Sequence, residues 1–541
     1  MDWLAAPDYW LARLVIQRAL GAIYLVAFLV ALTQFRPLLG ERGLQPVPRY
    51  LDRVGWRRAP SLFQLHYSDR FFAVVAGLGA AVAALAVLGV PERGPAWASM
   101  LAWFVLWGLY LSIVNVGQVF YGFGWESLLL EAGFTAIFLG PADMAPPTLV
   151  LFLFRWLLFR VEFGAGLIKM RGDPCWRDLT CLDYHHETQP MPGPLSWWFH
   201  RLPRPLHRVE VAANHVAQLV MPLLLFTPQP FASVAGLAMI ATQGWLVASG
   251  NFSWLNVLTM TLAVSALDGR LLDPVVPASP PALADPPAWF AGFVVAFTAL
   301  VVVLSWWPVR NMLSSRQLMN FSFNRFHLVG TYGAFGSITK VRHEVVIEGT
   351  DDLAPTADTE WREYEFKGKP GDPWRRPPQV APYHLRLDWL MWFAALSPLR
   401  SEPWLPALVR KLLEGDRATL RLLRHNPFPD RPPAWVRARL YRYRFTTWKE
   451  RRATGAWWHR TLVGEYLRPV RLRRPAGAAP GAGSGRPAGD KAGNGAGSGR
   501  PAGDTAGDRK GPAENAGTGG DSGTGGDAGT GGDRGTGRAV T

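Results

Sequence analysis

The sequence predicts an α-helical multi-pass membrane protein with a C-terminal mainly β or α/β extramembrane domain and a disordered tail. Three observations predict it. Up to residue 308 the apolar residues fall in blocks of about 20, the length of helix that crosses a bilayer. From residue 309 the pattern shifts to strand-like alternation. From Pro475 the chain turns to Gly, Ala, Ser and Asp without aromatics.

Within the membrane domain, residues 9–308, candidate spans cover 11–33, 70–90, 97–116, 118–140, 147–168, 210–227, 231–249, 252–268 and 289–307, about nine by hydropathy. Several are short or interrupted by Gly and Pro, which suits re-entrant or interfacial segments. The first apolar run, Leu11 to Leu32, is too long for the core of a cleavable signal peptide and lacks a small-residue cleavage site. It reads as the first span. The formal net charge of +15 on 541 residues then belongs to loops beside membrane lipid, not to a nucleic-acid groove.

Three stretches lie outside the spans. Gln34 to Arg70 is rich in arginine (Arg36, Arg42, Arg49, Arg53, Arg57, Arg58). A long polar loop covers 169–208. The domain over 309–470 shows alternation in "EYEFKG" and "YRYRFT", the pattern of strands. Between these, "LRLDWLMWFAAL" reads as a Trp-rich helix suited to rest on the membrane surface. The tail over 475–541 repeats "GAGSGRPAGD" and then "GTGGD" units, and it has too little apolar surface to offset chain entropy. An odd number of spans leaves the N-terminus on one side of the membrane. The Arg-rich loop, the polar loop and the C-terminal domain share the other. The positive-inside rule would make that side cytoplasmic.

Two candidate spans carry charge. Glu126 and Glu131 lie on the fourth; Arg155, Arg160 and Glu162 lie on the fifth, with Lys169 at its end. Such residues are costly at bilayer depth unless they face the protein interior with a partner. The two Glu and the two Arg are each five residues apart, about 7.5 Å along a helix, so antiparallel neighbours can set two Glu–Arg pairs against each other. Arg155, Glu162 and Lys169 recur every seven residues on one face. One reading is a register lock between helices. The other is a polar cavity in which a desolvated Lys169 acts as a base. Lys169 can also snorkel from the helix end.

Directly after this stripe comes "IKMRGDPCWRDLTCLDYHHETQPMP", with the only two cysteines of the chain. Cys175 and Cys181 suit a disulfide on the oxidising side of a membrane, or two free thiols. A metal site with Asp183, His185 or His186 lacks the usual CxxC spacing, and so does a redox dithiol. The expectation is no metal and no cofactor. Asp173-Pro174 and "QPMP" mark a structured loop. Arg171, Asp173, Arg177 and Asp178 are placed to pair locally, and Trp176, Trp197, Trp198 and Phe199 suit the bilayer interface. Arg171, Asp173, Trp176, Arg177, Asp178, Asp183 and Glu187 are the candidate functional residues of the loop. No Ser–His–Asp arrangement, phosphate loop or HExxH appears, and "GTYGAFG" is too loose for a nucleotide fingerprint.

The stretches "LLGERGLQPVP", "GQVFYGFGWESLLLEAGF", "GLIKMRGDPCWRDLTCLDYHHETQPMP", "SGNFSWLNVLTM", "TYGAFGSITKVRHEVVIEGT" and "PYHLRLDWLMWFAAL" resemble the lipase maturation factor family, over residues 9–470. The resemblance implies a multi-pass protein of the endoplasmic reticulum membrane in animals that helps secreted lipases fold and assemble. It implies a lipase-like secreted client, no turnover of a small substrate, and large loops facing the lumen, against the arginine count. The tail and the Arg/Ala/Gly-heavy composition look bacterial. The equivalent place there is the cytoplasmic membrane with the cysteine loop outside. A shorter stretch, "VEFGAGLIKM", resembles the membrane domain of vitamin K-dependent γ-glutamyl carboxylases, in which a lysine abstracts a proton. Lys169 matches it, and Glu162 with His185 or His186 would complete such a site. A transporter is disfavoured, because matched inverted repeats are absent from the sequence.

Overall fold

The computed structural model describes residues 4–276, 278, 282–397 and 402–472. The low-complexity tail, 475–541, lies outside the described residues.

The first part is helical: α1 (Trp10–Leu39), α2 (Asp69–Val87), α3 (Ala96–Val116), α4 (Gly124–Ala136), α5 (Thr148–Arg171), α6 (Arg204–His215), α7 (Phe231–Ser249), α8 (Leu255–Ala263) and α9 (Ala288–Leu304). Five helical stretches are long and apolar enough to cross a membrane: Pro7–Leu39, Asp69–Val87, Ala96–Val116, Phe231–Ser249 and Ala288–Leu313. This is a multi-pass membrane protein. The other four segments expected to span are helical but differ in kind. Segment 118–140 becomes a 3-10 turn and the 13-residue α4. Segment 147–168 becomes α5, which has 24 residues and carries the charges. Segment 210–227 is broken by a π-helical turn at Val216–Val220, and 252–268 contains the 9-residue α8.

The charges decide which helices lie inside. α5 buries Arg155, Arg160, Glu162 and Lys169, a load no lipid-facing helix can carry. It packs against α8, α9 and α4, while α1 packs along α2 and also meets α8. α9 instead exposes Phe293, Val295, Leu300, Val302 and Val303, the lipid-facing pattern.

The C-terminal part holds strands β1 (Arg342–Thr350), β2 (Arg362–Glu363), β3 (Glu365–Phe366), β4 (Leu423–His425), β5 (Trp435–Phe445) and β6 (Trp458–Val470). An antiparallel sheet runs β2-β1-β5-β6, with Val345 opposite Leu440, and β3 pairs with β4. "EYEFKG" and "YRYRFT" are thus strand segments. α10 (Arg386–Leu396) departs from expectation. It is no surface helix, for it buries Leu387, Trp389, Leu390, Met391 and Ala394 against β1 and the turn at Gln118–Tyr121. A Trp-rich apolar helix suits a protein interior as well as a bilayer surface, and here the sheet offers the larger apolar partner.

Three connections bring the non-spanning parts to one end of the helices. Arg325 donates to the Arg57 carbonyl at 2.6 Å. Gln34, near the end of α1, donates to the His384 carbonyl at 2.6 Å. Arg342 on β1 holds the polar loop, as described next.

Candidate functional site

The polar loop folds as three short helices: Pro174–Arg177, Leu182–Thr188 and Ser196–His200. The Asp173 carboxylate accepts from the Cys175 amide at 3.0 Å, and Pro174 supplies the first helical φ. Cys175 and Cys181 form a disulfide, their Cα atoms 4.8 Å apart. This decides between the pairings left open by spacing. Trp176, Leu182, Val211 and Ile338 pack around the bridge. Among the described residues the expected local ion pairs do not form: Arg171 reaches Gln317 at 2.8 Å, Asp173 serves as cap, and Arg177 and Asp178 are exposed. With water available on that side, neither gains from ordering a long side chain.

The histidines of the loop point inward. His185 lies edge-on to Phe335, ring centroids 5.0 Å apart, and burial pushes it down to about 3. His186 sits 3.7 Å from Glu210, and neither of its ring nitrogens has a hydrogen-bond partner among the described residues. Asp183 meets His207 Nδ1 at 3.1 Å. Glu187 accepts from the Phe445 amide at 2.7 Å, and burial pushes its carboxyl up. His200 is 3.4 Å from Glu187. Burial holds His200 down near 3, so this contact is no ion pair at neutral pH.

The loop is clamped to the sheet. Buried Arg342 donates to the carbonyls of Glu187 (2.9 Å), Gln189 (2.6 Å) and Pro190 (3.2 Å) and to the Glu344 carboxylate (2.8 Å). Lys369 closes on the other oxygen of Glu344 at 2.9 Å. Trp197 donates to the Thr446 carbonyl at 2.9 Å, and Arg201 to the Phe445 and Thr446 carbonyls at 2.8 Å. Around this seam the aromatics gather. Trp197 is edge-on to Trp448 at 4.5 Å, and Trp198 to Trp457 at 5.3 Å. Arg376 lies 4.9 Å over Trp198, and Arg451 3.3 Å over Trp457. Trp198, Trp374 and Trp448 stay exposed by 37%, 62% and 50%. The loop, the β5–β6 connection and the segment 372–376 between β3 and α10 thus share one face of exposed indoles, with the exposed Arg376 and the half-buried Arg451.

Beneath the loop lie the helix charges. Glu131 and Arg160 pair directly, and Glu131 also accepts from the Gly330 amide (3.1 Å) and the Tyr332 hydroxyl (2.7 Å). The second expected pair is not made. Glu126 pairs with Arg386 of α10 at 2.7 Å and accepts from the Tyr110 hydroxyl. Arg386 lies 3.4 Å over the Tyr121 ring. Arg155 donates instead to the Ser265 carbonyl at 3.0 Å. Five-residue spacing matched both pairs, but a partner from a distant element displaced one.

Lys169 and Glu162 share a face of α5 without touching. Lys169 donates to Asn214 (2.9 Å) and Gln218 (2.8 Å), and its ammonium lies 4.7 Å over the Trp176 ring. Gln218 and Gln243 donate to Glu162 at 3.1 and 2.7 Å, and Asn256 donates to Gln243 at 2.6 Å. Gln218 sits in the π-helical turn, which turns its side chain between the two charges. Lys169 is therefore engaged as a donor, and neither His185 nor His186 hydrogen-bonds it among the described residues. Sequence reasoning missed Arg342, Arg386 and Gln218. A signal existed for Arg386: with Asp388 it opens a helix that is apolar from Trp389 onward, and a charge leading such a helix into the interior needs a buried partner.

The family model described as the lipase maturation factor transmembrane domain matches residues 11–274, and that of the lipase maturation factor C-terminal domain matches 328–468. This chain belongs to the lipase maturation factor family. It is 44% identical to human lipase maturation factor 1 over 512 residues, covering 87% of this chain and 89% of that protein. It is 32% identical to chicken lipase maturation factor 2, covering 84% and 81%, and 29% identical to the human form, covering 86% and 83%. These lipase maturation factors are named for maturation and not for an enzymatic reaction. No solved structure matches.

Proposed function

We propose that this protein is a membrane-embedded maturation factor that holds incompletely folded secreted clients, lipases among them, against the face shared by loop 169–208 and the β5–β6 connection. The exposed Trp198, Trp374, Trp448 and Arg376, with the half-buried Arg451 stacked on Trp457, carry the reading. Indoles and guanidinium groups are the side chains that dominate protein recognition, because each offers large area with few rotors and a polar edge. The seam behind them is held by the clamp of Arg342, so the face is rigid before a client arrives.

Lys169, the base of the carboxylase-like alternative, here works as a strut between α5 and the turn carrying Gln218. The loop has a disulfide, so we place this face on the oxidising side of its membrane: the lumen of the endoplasmic reticulum, as in the animal family, or the outer face of a bacterial cytoplasmic membrane.

Co-expression with a secreted lipase tests the reading. Trp198→Ala with Trp448→Ala should lower lipase activity per mass of lipase synthesised at least tenfold, with the factor itself at normal abundance. Unchanged lipase activity would remove the face from the proposal. An impermeant maleimide that labels Cys175 and Cys181 only after reduction, from the non-cytosolic side, should fix the orientation.

A further inference from the structure

A cavity of about 220 Å³ opens beside the far end of α1, walled by Thr33, Gln34, Lys367, Tyr383, Leu385, Leu387, Asp388, Arg421 and Leu422. Its position along α1 matters first. Thr33 lies about 9 Å from the end of α1 at Leu39, at 1.5 Å per residue. There the Tyr383 hydroxyl of the C-terminal part meets it at 2.6 Å, so the wall stands where the helix leaves the hydrocarbon for the headgroups.

The approach to it is lipid-facing. On α1, whose other faces are buried, Ala22, Leu25, Val26, Leu29, Thr33 and Arg36 are exposed or half-buried, at helical spacing. That stripe runs straight to the mouth of the cavity.

The chemistry of the walls matters next. Lys367 spends one N–H on the Arg421 carbonyl at 2.7 Å and keeps two. Neither Lys367 nor Arg421 pairs with a carboxylate among the described residues, and both are exposed. Thr33 donates to the Leu29 carbonyl at 2.8 Å and pairs with the Tyr383 hydroxyl at 2.6 Å, and Tyr383 accepts from Gln34 at 3.2 Å, so both oxygens are left as acceptors for a ligand hydroxyl. The one carboxylate in the wall, Asp388, has an oxygen committed to the amides of Gly368 (2.5 Å) and Lys369 (3.2 Å). Leu385, Leu387 and Leu422 supply the apolar lining. Two unpaired cations, two hydroxyls and an apolar wall at headgroup depth fit one ligand class, a phosphate ester with a hydrocarbon tail.

We propose that this cavity binds the phosphate of an anionic phospholipid, whose acyl chain lies along the exposed stripe of α1. Lys367 and Arg421 hold the phosphate oxygens, Tyr383 and Thr33 the glycerol or headgroup hydroxyls, and Leu29 the start of the chain. The site is separate from the indole face and stands or falls independently of it.

The test uses the full chain, purified in mild detergent and stripped of lipid, with native mass spectrometry to count retained lipid. Phosphatidylglycerol should be retained as one molecule per chain, in preference to phosphatidylcholine, and 10 mM inorganic phosphate should not displace it, an excess of roughly ten-thousandfold over a micromolar site. Lys367→Met with Arg421→Gln should weaken retention by on the order of thirtyfold, from two lost surface cations. Thermal unfolding in phosphatidylcholine nanodiscs should be the same for both proteins. Equal retention of the two lipids, or undiminished retention by the double variant, would overturn the site. Displacement by inorganic phosphate would overturn the lipid as its ligand.

Discussion

Arg342 has all its hydrogen-bond donors placed: three loop carbonyls and the carboxylate of Glu344 take them. Arg342→Met would leave Glu344 with Lys369 alone and three buried carbonyls without partners. Removing one member of a buried ionic group costs about 3–5 kcal/mol, so the variant should melt well below the parent in detergent. Arg342→Lys should fall nearly as far, because a single ammonium lacks the planar fork that spans these acceptors. His185 and His200 predict the pH response of the same loop. Both sit near 3 when folded, against about 6.5 in an unfolded chain. Between those values the unfolded chain binds protons that the folded one refuses. The stabilisation is full above about pH 6.5 and is lost as pH falls toward 3, at up to about 1.4 kcal/mol per pH unit for each histidine. The raised Glu187 carboxyl works in the opposite sense just above its ordinary range and offsets part of this. Protection factors of the amides over 182–200, each rate divided by the intrinsic rate at its own pH, should therefore be markedly lower at pH 5 than at pH 7.5, and His185→Phe should reduce the difference.

Among the elements, the segment from Leu328 to Ile338 links the two halves by lying along α5. The Trp176 indole donates to the Phe335 carbonyl at 2.8 Å, and the Asp173 amide to the Gly336 carbonyl at 2.8 Å. Its backbone comes so close that a Cβ on Gly164 would stand 2.5 Å from the Tyr332 carbonyl oxygen, and one on Gly172 nearer still to that of Gly336. Gly164→Ala or Gly172→Ala should destabilise by about 1–3 kcal/mol and expose 316–340 to limited proteolysis. Gly77→Ala on α2 and Gly108→Ala on α3 meet open space and should change neither readout. The strands were legible because alternation in "YRYRFT" is a local property, set by which face each side chain takes. α10 was misplaced because burial against β1 and burial in a bilayer ask for the same apolar residues. The disulfide was legible as a candidate from two cysteines in one loop. The role of "TYGAFG" as a strap was not, since nothing local in it specifies the groove of α5.

For the whole molecule, the helices and the sheet complete each other's polar groups. Glu126 depends on Arg386, Glu131 on Gly330 and Tyr332 as well as Arg160, and Gln34 on Tyr383 and His384. A chain ending at residue 314 would bury an unpaired carboxylate at Glu126. It should fail to give a monodisperse peak on size exclusion in detergent, and Glu126→Gln should partly restore it, since an amide is cheaper to bury than an unpaired carboxylate. The helices themselves were legible from hydropathy, because each must satisfy the bilayer alone. The partner of Glu126 was not, because that choice is made 260 residues away. This distance also sets an order in time. At about 5–20 residues per second, Arg386 leaves the ribosome roughly 15–50 s after Glu126. Through that interval the nascent chain displays an acid in its membrane helices that only a finished C-terminal domain can cover. A chain stalled or cut short before Arg386 keeps that acid without its guanidinium, so completion of synthesis and completion of the membrane core are one event.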